Sequence, residues 1–330
     1  MAPLAISLGD PSGIGPEIVG KAWAMREEAD LPPFFAVGDA ATICHGWTGP
    51  IARIDSPGEA AGVFGAALPV MHIFDCGRIR AGEPSVEGAR CALAALEMAT
   101  GLTRSGPAAA LVTAPVSKAE LYAIGFSYPG QTEFVAERCG VARNNAVMML
   151  AGPTLRVVPV TTHIPLADVP TTLTTELIIT KARATARGLA RDFGIEQPRL
   201  AVAAFNPHAG EMGLIGREEI EIIAPAVEAL NAEGIEAFGP IAPDALFHPR
   251  ARATYDAAIC MYHDQALIPL KALHFDEGVN ITLGLPIIRT SPDHGTAFGI
   301  AGRNLANPGA MVAAIRMAGE AARTRDLTLA

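Results

Sequence analysis

Three of the eight histidines stand directly after apolar runs. His163 follows the run 155–162, His208 follows 200–207, and His263 follows 257–262. If these runs are strands of a parallel sheet, their C-terminal ends open on one edge, where ligands bind. Three imidazoles delivered to one edge make a ligand set for a single metal ion. Three protein ligands with positions left open is the arrangement of a catalytic rather than a structural site. The spacings match no short zinc motif, and any one of these residues alone also reads as a solvated loop histidine. What sets the three apart is the position they share.

Near the third histidine lie Asp264, Lys271, Asn280 and Arg289. Two cations and an amide at this spacing form an anion pocket if they converge, with Arg giving a planar fork and Lys a point charge. If they do not, they are ordinary surface charge. Two glycine-rich segments flank the chain's ends. Residues 9–17 (GDPSGIGPE) are neither G-x-G-x-x-G nor a P-loop, because the Lys-Ser/Thr ending is missing. Residues 294–303 (HGTAFGIAGR) offer close backbone approach beside hydroxyl, imidazole and guanidinium groups.

The elements that must position these residues alternate. Strands are expected at 4–8, 34–37, 108–112, 147–150, 155–160, 200–204, 257–261 and 279–283, several of them continuous apolar runs of the kind covered on both faces. Thr174 or Thr175 caps a helix running to about Phe193, which Gly194 ends. Another helix follows Arg217, offset or kinked by Pro225, and a last one starts near Asn307-Pro308. The pattern is α/β with a mostly parallel sheet. Between residues 40 and 83, Gly and Pro break any period.

Composition narrows the function classes. Half of the 330 residues are hydrophobic and the formal net charge is −9. No run of Lys and Arg exists to replace the counterions of a nucleic acid, so no nucleic-acid partner is expected. No stretch of about 18 apolar residues is free of charge, Pro and Gly, so no membrane span is expected. The start carries no signal-peptide pattern. The five cysteines are odd in number and contain no CxxC, which argues against a disulfide framework and a thiolate zinc site. The expectation is a reduced, cytoplasmic enzyme.

Seven motifs in order carry a resemblance: residues 9–17, 113–118 (TAPVSK), 130–134 (GQTEF), 206–211 (NPHAGE), 262–265 (YHDQ), 279–286 (VNITLGLP) and 291–297 (SPDHGTA). On these the chain resembles the PdxA family of pyridoxal phosphate biosynthesis, the 4-hydroxythreonine-4-phosphate dehydrogenases. The resemblance implies an isocitrate/isopropylmalate dehydrogenase-like fold of two intertwined subdomains, residues 1–115 with 275–330 on the cofactor side and 116–274 for substrate, metal and dimerisation, with the active site in the cleft. It implies that His163, His208 and His263 bind a divalent metal (Zn, Mg or Co), with His263 supplied across a homodimer so that active sites are shared. It gives Thr132, Lys271, Asn280 and Arg289 to the phosphorylated substrate and places Asp244 and Asp264 as acidic residues beside it. NAD or NADP is held without the standard fingerprint, by the 294–302 loop (His294, Gly295, Thr296, Gly302) and by Asn307. Where the family pattern has histidine this chain has Gln131, which can donate a hydrogen bond to phosphate but carries no charge.

The implied reaction oxidises the C3 hydroxyl of 4-phosphohydroxy-L-threonine to 2-amino-3-oxo-4-phosphooxybutanoate, which loses CO2 to give 3-amino-1-hydroxyacetone 1-phosphate. Asp264 and a metal-bound water are the alternatives for the base, with Lys118 behind them. Related dehydrogenases act on phosphorylated sugar acids or cis-dihydrodiols, and Lys271 and Arg289 favour a phosphorylated substrate. A metal-dependent hydrolase would use the same histidines without the 294–302 loop, and a non-catalytic binder would keep the pocket without turnover.

Overall fold

Continuous apolar runs become strands in the computed structural model of the protein, which describes residues 1–329. In chain order these are β1 (Leu4–Ser7), β2 (Phe34–Gly38), β3 (Ile51–Arg53), β4 (Leu68–His72), β5 (Leu111–Thr113), β6 (Val147–Gly152), β7 (Leu155–Pro159), β8 (Leu200–Ala203), β9 (Ala237–Ile241), β10 (Ala257–Cys260), β11 (Val279–Leu283) and β12 (Arg289–Pro292). The helices that matter below are α1 (Gly15–Ala24), α2 (Val86–Ser105), α3 (Lys118–Ala123), α4 (Gln131–Arg138), α5 (Thr175–Phe193), α6 (Ala224–Ala232), α7 (His263–His274) and α8 (Gly309–Leu329). The chain divides into two units, residues 1–141 with 285 onward, and residues 142–284.

In the first unit the strands run β3-β4-β2-β1-β5-β12, and each neighbouring pair is parallel. Every residue of β1, β2, β5 and β12 is buried. α2 packs against β1, β2 and β5, while α8 packs against β12 and β5. A strand covered on both faces has no need of alternation, hence the unbroken apolar runs. α2 starts where Ser85 Oγ accepts the Gly88 N–H.

In the second unit the order is β11-β6-β7-β10-β8-β9. β11, β6 and β7 pair antiparallel, and β7, β10, β8 and β9 pair parallel. Leu150, Leu155, Val157, Ala201, Ala258, Cys260, Ala266 and Leu270 form its core beneath α7. Thr174 Oγ1 accepts the Leu177 N–H, and Gly194 at φ 68° ends α5, both as expected. The helix expected after Arg217 opens instead as one π turn, Glu219–Ile223, before α6. Pro225 then falls in the first turn of α6, where its missing N–H leaves no gap.

Four strands escaped the sequence pattern. β3 and β4 lie in the Gly- and Pro-broken stretch, and β9 contains Pro240 and a register irregularity. β12 reads as polar (RTSP) yet is fully buried, because its side chains bond inward: Thr290 Oγ1 donates to the Ala314 carbonyl and Arg289 to Thr113. The strand expected at 108–112 begins at Leu111 and ends at Thr113. The two compact units divide at 141/142 and 284/285. α3 packs on α2 in the first unit, and β11 pairs with β6 in the second.

The cysteine expectation needs correction as well. Cys76, after β4, and Cys91, on α2, are joined by a disulfide with Cα atoms 6.0 Å apart. The chain returns on itself between them, which no cysteine spacing announces. Cys44, Cys139 and Cys260 are free. Thiol titration in denaturant should therefore find three thiols without reductant and five with it. Cys91→Ser should cost about 3 kcal/mol by denaturant unfolding, the expected effect of opening a loop of this length. Five titratable thiols in the oxidised protein would show that the bridge does not form.

Candidate active site

β7, β10 and β8 are neighbours, and each delivers one candidate ligand beyond its C-terminal end. His163 follows β7, His263 follows β10 as the first residue of α7, and His208 follows β8. The edge is held by one buried side chain: Gln265 Oε1 accepts the Met261 N–H at 2.6 Å while its Nε2 donates to the Ala204 carbonyl at 2.7 Å. The His163 and His263 rings lie 5.6 Å apart, a spacing that lets two imidazoles meet one ion. Asp264 Oδ1 sits 2.7 Å from His263 Nδ1, which leaves Nε2 as the presented nitrogen. A carboxylate behind a ligating imidazole fixes its tautomer and raises its basicity.

His163 and His208 both have φ 51°, in the left-handed region that non-glycine residues avoid. His208 opens a run of five such residues through Met212. Left-handed backbone costs L-residues roughly 1–2 kcal/mol each, so neighbours must hold this turn in place. Buried Glu219 bonds the backbone that leads into it. Its Oε1 accepts the N–H groups of Phe205 (2.9 Å) and Asn206 (2.6 Å), and its Oε2 accepts Asn206 Nδ2 at 3.0 Å. Gly210, at φ 75°, lies where a Cβ would come within 2.6 Å of Glu219 Oε2.

The three histidines do not form, among the described residues, a group whose ligand atoms all lie within 4.8 Å of one another. Among the described residues, the group whose ligand atoms all lie within 4.8 Å is Asp39, His72 and Asp75. That cluster is a brace. Asp39 accepts the N–H groups of Ala41 and Cys76, His72 Nδ1 accepts the Ala40 N–H, and His72 Nε2 faces Asp75 at 3.3 Å.

In the first unit, Arg289 is 3% exposed and pinned by two hydroxyls, Thr113 Oγ1 at 2.7 Å and Thr132 Oγ1 at 3.1 Å. Burial pulls its guanidinium down to about 10, with Glu133 opposing, so it stays charged at neutral pH. Gln131 Nε2 donates to the Ala114 carbonyl at 3.2 Å, while its buried Oε1 has no hydrogen-bond partner. In the second unit, Asn280 on β11 likewise has a buried Oδ1 without a partner. Lys271 lies on α7 with its ammonium 5.5 Å from the Phe275 ring, and Asp244 is exposed in the short helix Pro243–Leu246 that follows β9. Thr113 stood in a quoted motif without a role, and only the fold reveals that it touches Arg289.

The 294–308 segment belongs to the first unit and is held by the 9–17 motif. The Ile14 N–H donates to the Thr296 carbonyl at 3.0 Å. Buried Glu17 accepts the Ala306 N–H at 2.8 Å, and Lys21, paired with Glu17 at 2.7 Å, donates to the Ala306 carbonyl at 2.8 Å. Asn307 Oδ1 accepts the Gly309 N–H at the start of α8. His294 Nδ1 lies 3.1 Å from the Gly295 carbonyl, and Gly302 packs on Ala81. Gly295 and Gly299 have open space where a Cβ would stand, room that suits a ligand lying against the backbone.

Comparison with known proteins shows which chains this one is similar to. A family model described as pyridoxal phosphate biosynthetic protein PdxA matches residues 29–318. A 4-hydroxythreonine-4-phosphate dehydrogenase of Zymomonas mobilis is 60% identical, covering 99% of this chain and 97% of the relative. The solved structure of a 4-hydroxythreonine-4-phosphate dehydrogenase from Klebsiella pneumoniae is 40% identical with a TM-score of 0.87, covering 97% of this chain and 98% of that one. A terephthalate 1,2-cis-dihydrodiol dehydrogenase from Burkholderia xenovorans is 30% identical with a TM-score of 0.66, covering 96% of this chain and 97% of that one.

The Glu17 clasp gives a direct test of how the 294–308 segment is held. Glu17→Ala should speed deuterium exchange of the Ala306 amide by roughly tenfold or more, the loss of one charge-assisted hydrogen bond. Unchanged exchange would mean that the segment is held by other contacts.

Proposed function

The chain belongs to the PdxA family, and we propose that it works as a metal-dependent, NAD(P)-linked 4-hydroxythreonine-4-phosphate dehydrogenase, an oxidoreductase of pyridoxal phosphate biosynthesis. The observation that carries this is kinship at 60% identity over 99% of the chain. The reaction oxidises the C3 hydroxyl of 4-phosphohydroxy-L-threonine, and the resulting 3-oxo acid loses CO2 to give 3-amino-1-hydroxyacetone 1-phosphate.

A divalent ion (Zn, Mg or Co) lowers the pKa of an alcohol, and NAD or NADP accepts hydride. His163, His208 and His263 would hold the ion; their neutral nitrogens suit such a cation, and Asp264 orients His263. Asp264, engaged with that ring, is the first candidate among the side chains to take the hydroxyl proton, with Lys118 behind it and Asp244 an acidic residue beside the site. Buried Arg289, with Thr132 and Gln131 beside it, would receive the phosphate, and Lys271 and Asn280 would serve the rest of the substrate. His294, Gly295, Thr296, Gly302 and Asn307 would line the dinucleotide. The likeness to a cis-dihydrodiol dehydrogenase supports a second reading, against which the buried cation argues.

We assign the active form to a homodimer with shared sites. In support, Leu166, Met212 and Leu214 are 66%, 93% and 85% exposed in the segments after His163 and His208. Apolar side chains left bare beside candidate ligands are what a second copy would cover. The resemblance takes His263 from the partner, and the 5.6 Å between the His163 and His263 rings of one chain supports a second division, with His208 as the shared ligand. Both divisions put His208 and His263 on different subunits. Mixing His208→Ala with His263→Ala subunits should then regenerate one working site per heterodimer, and verified heterodimers without activity would sink the shared site.

The substrate assignment is read at 340 nm. Arg289→Ala should lower kcat/KM for 4-phosphohydroxythreonine by about one to two powers of ten, since a hydrogen bond to a charged group contributes roughly 1.5–3 kcal/mol. Turnover of unphosphorylated 4-hydroxythreonine should fall far less. An equal fall for both would remove the phosphate from this pocket and favour the dihydrodiol reading.

A further inference from the structure

Glu219 has no part in the chemistry above, yet it is 3% exposed and its carboxylate is spent on the segment that carries His208. It lies on the single π turn Glu219–Ile223, 11 residues beyond His208 in sequence, where an extra residue per turn re-aims side chains. Thr175 Oγ1, in the first turn of α5, donates to the Ile222 carbonyl at 2.9 Å and ties the π turn to a long helix. One carboxylate oxygen takes two successive backbone N–H groups, those of Phe205 and Asn206, where β8 has ended and no strand partner remains. The other takes Asn206 Nδ2, whose amide also reaches Glu218 Oε2 at 2.6 Å. Gly210 and Gly216 leave space for these side chains: a Cβ on Gly210 would meet Glu219, and one on Gly216 would meet Asn206.

We propose that Glu219 is the positioning residue for His208: bonded to the backbone ahead of it, it holds the left-handed turn in the one geometry that presents this histidine to a divalent cation. The inference deepens the metal reading and rests on it. Glu219 touches neither cation nor substrate. It acts before any ligand arrives, by making the strained turn the resting conformation. Its loss should weaken metal capture while leaving the ligand set complete, so that high metal concentration restores turnover.

The experiment titrates purified, metal-stripped wild type, Glu219→Ala and Glu219→Gln with Co2+, reading its visible absorption bands and competing with a chelator. Glu219→Ala should raise the Kd for Co2+ by roughly 10–100-fold, the range found when groups supporting metal ligands are lost, with kcat at saturating Co2+ changed far less. Glu219→Gln keeps an acceptor for the two N–H groups but turns a donor onto Asn206 Nδ2, and should fall between the two. Without metal, the Phe205 and Asn206 amides should exchange faster in both variants. Circular dichroism checks folding, and if the Ala variant does not fold, the near-isosteric Gln variant decides. Folded variants that bind Co2+ as tightly as wild type would overturn the proposal. A wild type that takes up no divalent ion, with either Co2+ or Zn2+, would overturn the metal reading first and this inference with it.

Discussion

Parallel pairing of β7, β10 and β8 is the constraint from which the rest of the second unit follows. Parallel neighbours must be joined by a crossover, so successive strands point the same way and end on the same edge. Whatever follows those strands is gathered there without any local signal to bring it. The first unit repeats the logic. β1 ends before the 9–17 motif, β5 ends at Thr113, and β12 ends before the 294–303 loop. Ladder hydrogen bonds place the strand ends to within a few ångströms; side chains must do the remainder.

A recurring device supplies it. Asp39, Glu17 and Glu219 are buried carboxylates that each accept at least one backbone N–H beyond a strand or helix end. A charged acceptor forms a stronger bond than a neutral one, and inside the protein it has no water to compete with. The cost of burying the charge is offset only where several donors converge, which ties each carboxylate to one loop conformation. Gln265 does the same work without charge, bridging the ends of β10 and β8.

These bonds also mark where the sequence was legible and where it was not. Strands covered on both faces wrote themselves as apolar runs, and the caps Thr174 and Gly194 were readable because a cap acts within about one turn of its own position. The positions of the three histidines after strands could be seen; which of them meet could not, since His163 and His263 are 100 residues apart. Glu219, Glu17 and Thr113 hold partners that lie 13 to 289 residues away, and nothing in their neighbourhood distinguishes them from surface residues. β12 was missed for a related reason: its polar residues are satisfied by groups far along the chain. Residue roles at the site came from the family resemblance, not from periodicity.

The depth of Arg289 has a consequence for how the protein meets a changing ionic environment. Mobile ions screen charges that face solvent over a Debye length of about 8 Å at physiological salt, and partly buried groups much less. A cation held between Thr113 and Thr132 at 3% exposure lies largely beyond that atmosphere. Its pull on an anion that reaches it is short in range and nearly indifferent to salt. The net charge of −9 works against any long-range attraction of the same anion. Ionic strength should therefore act on the approach of an anionic ligand far more than on its residence.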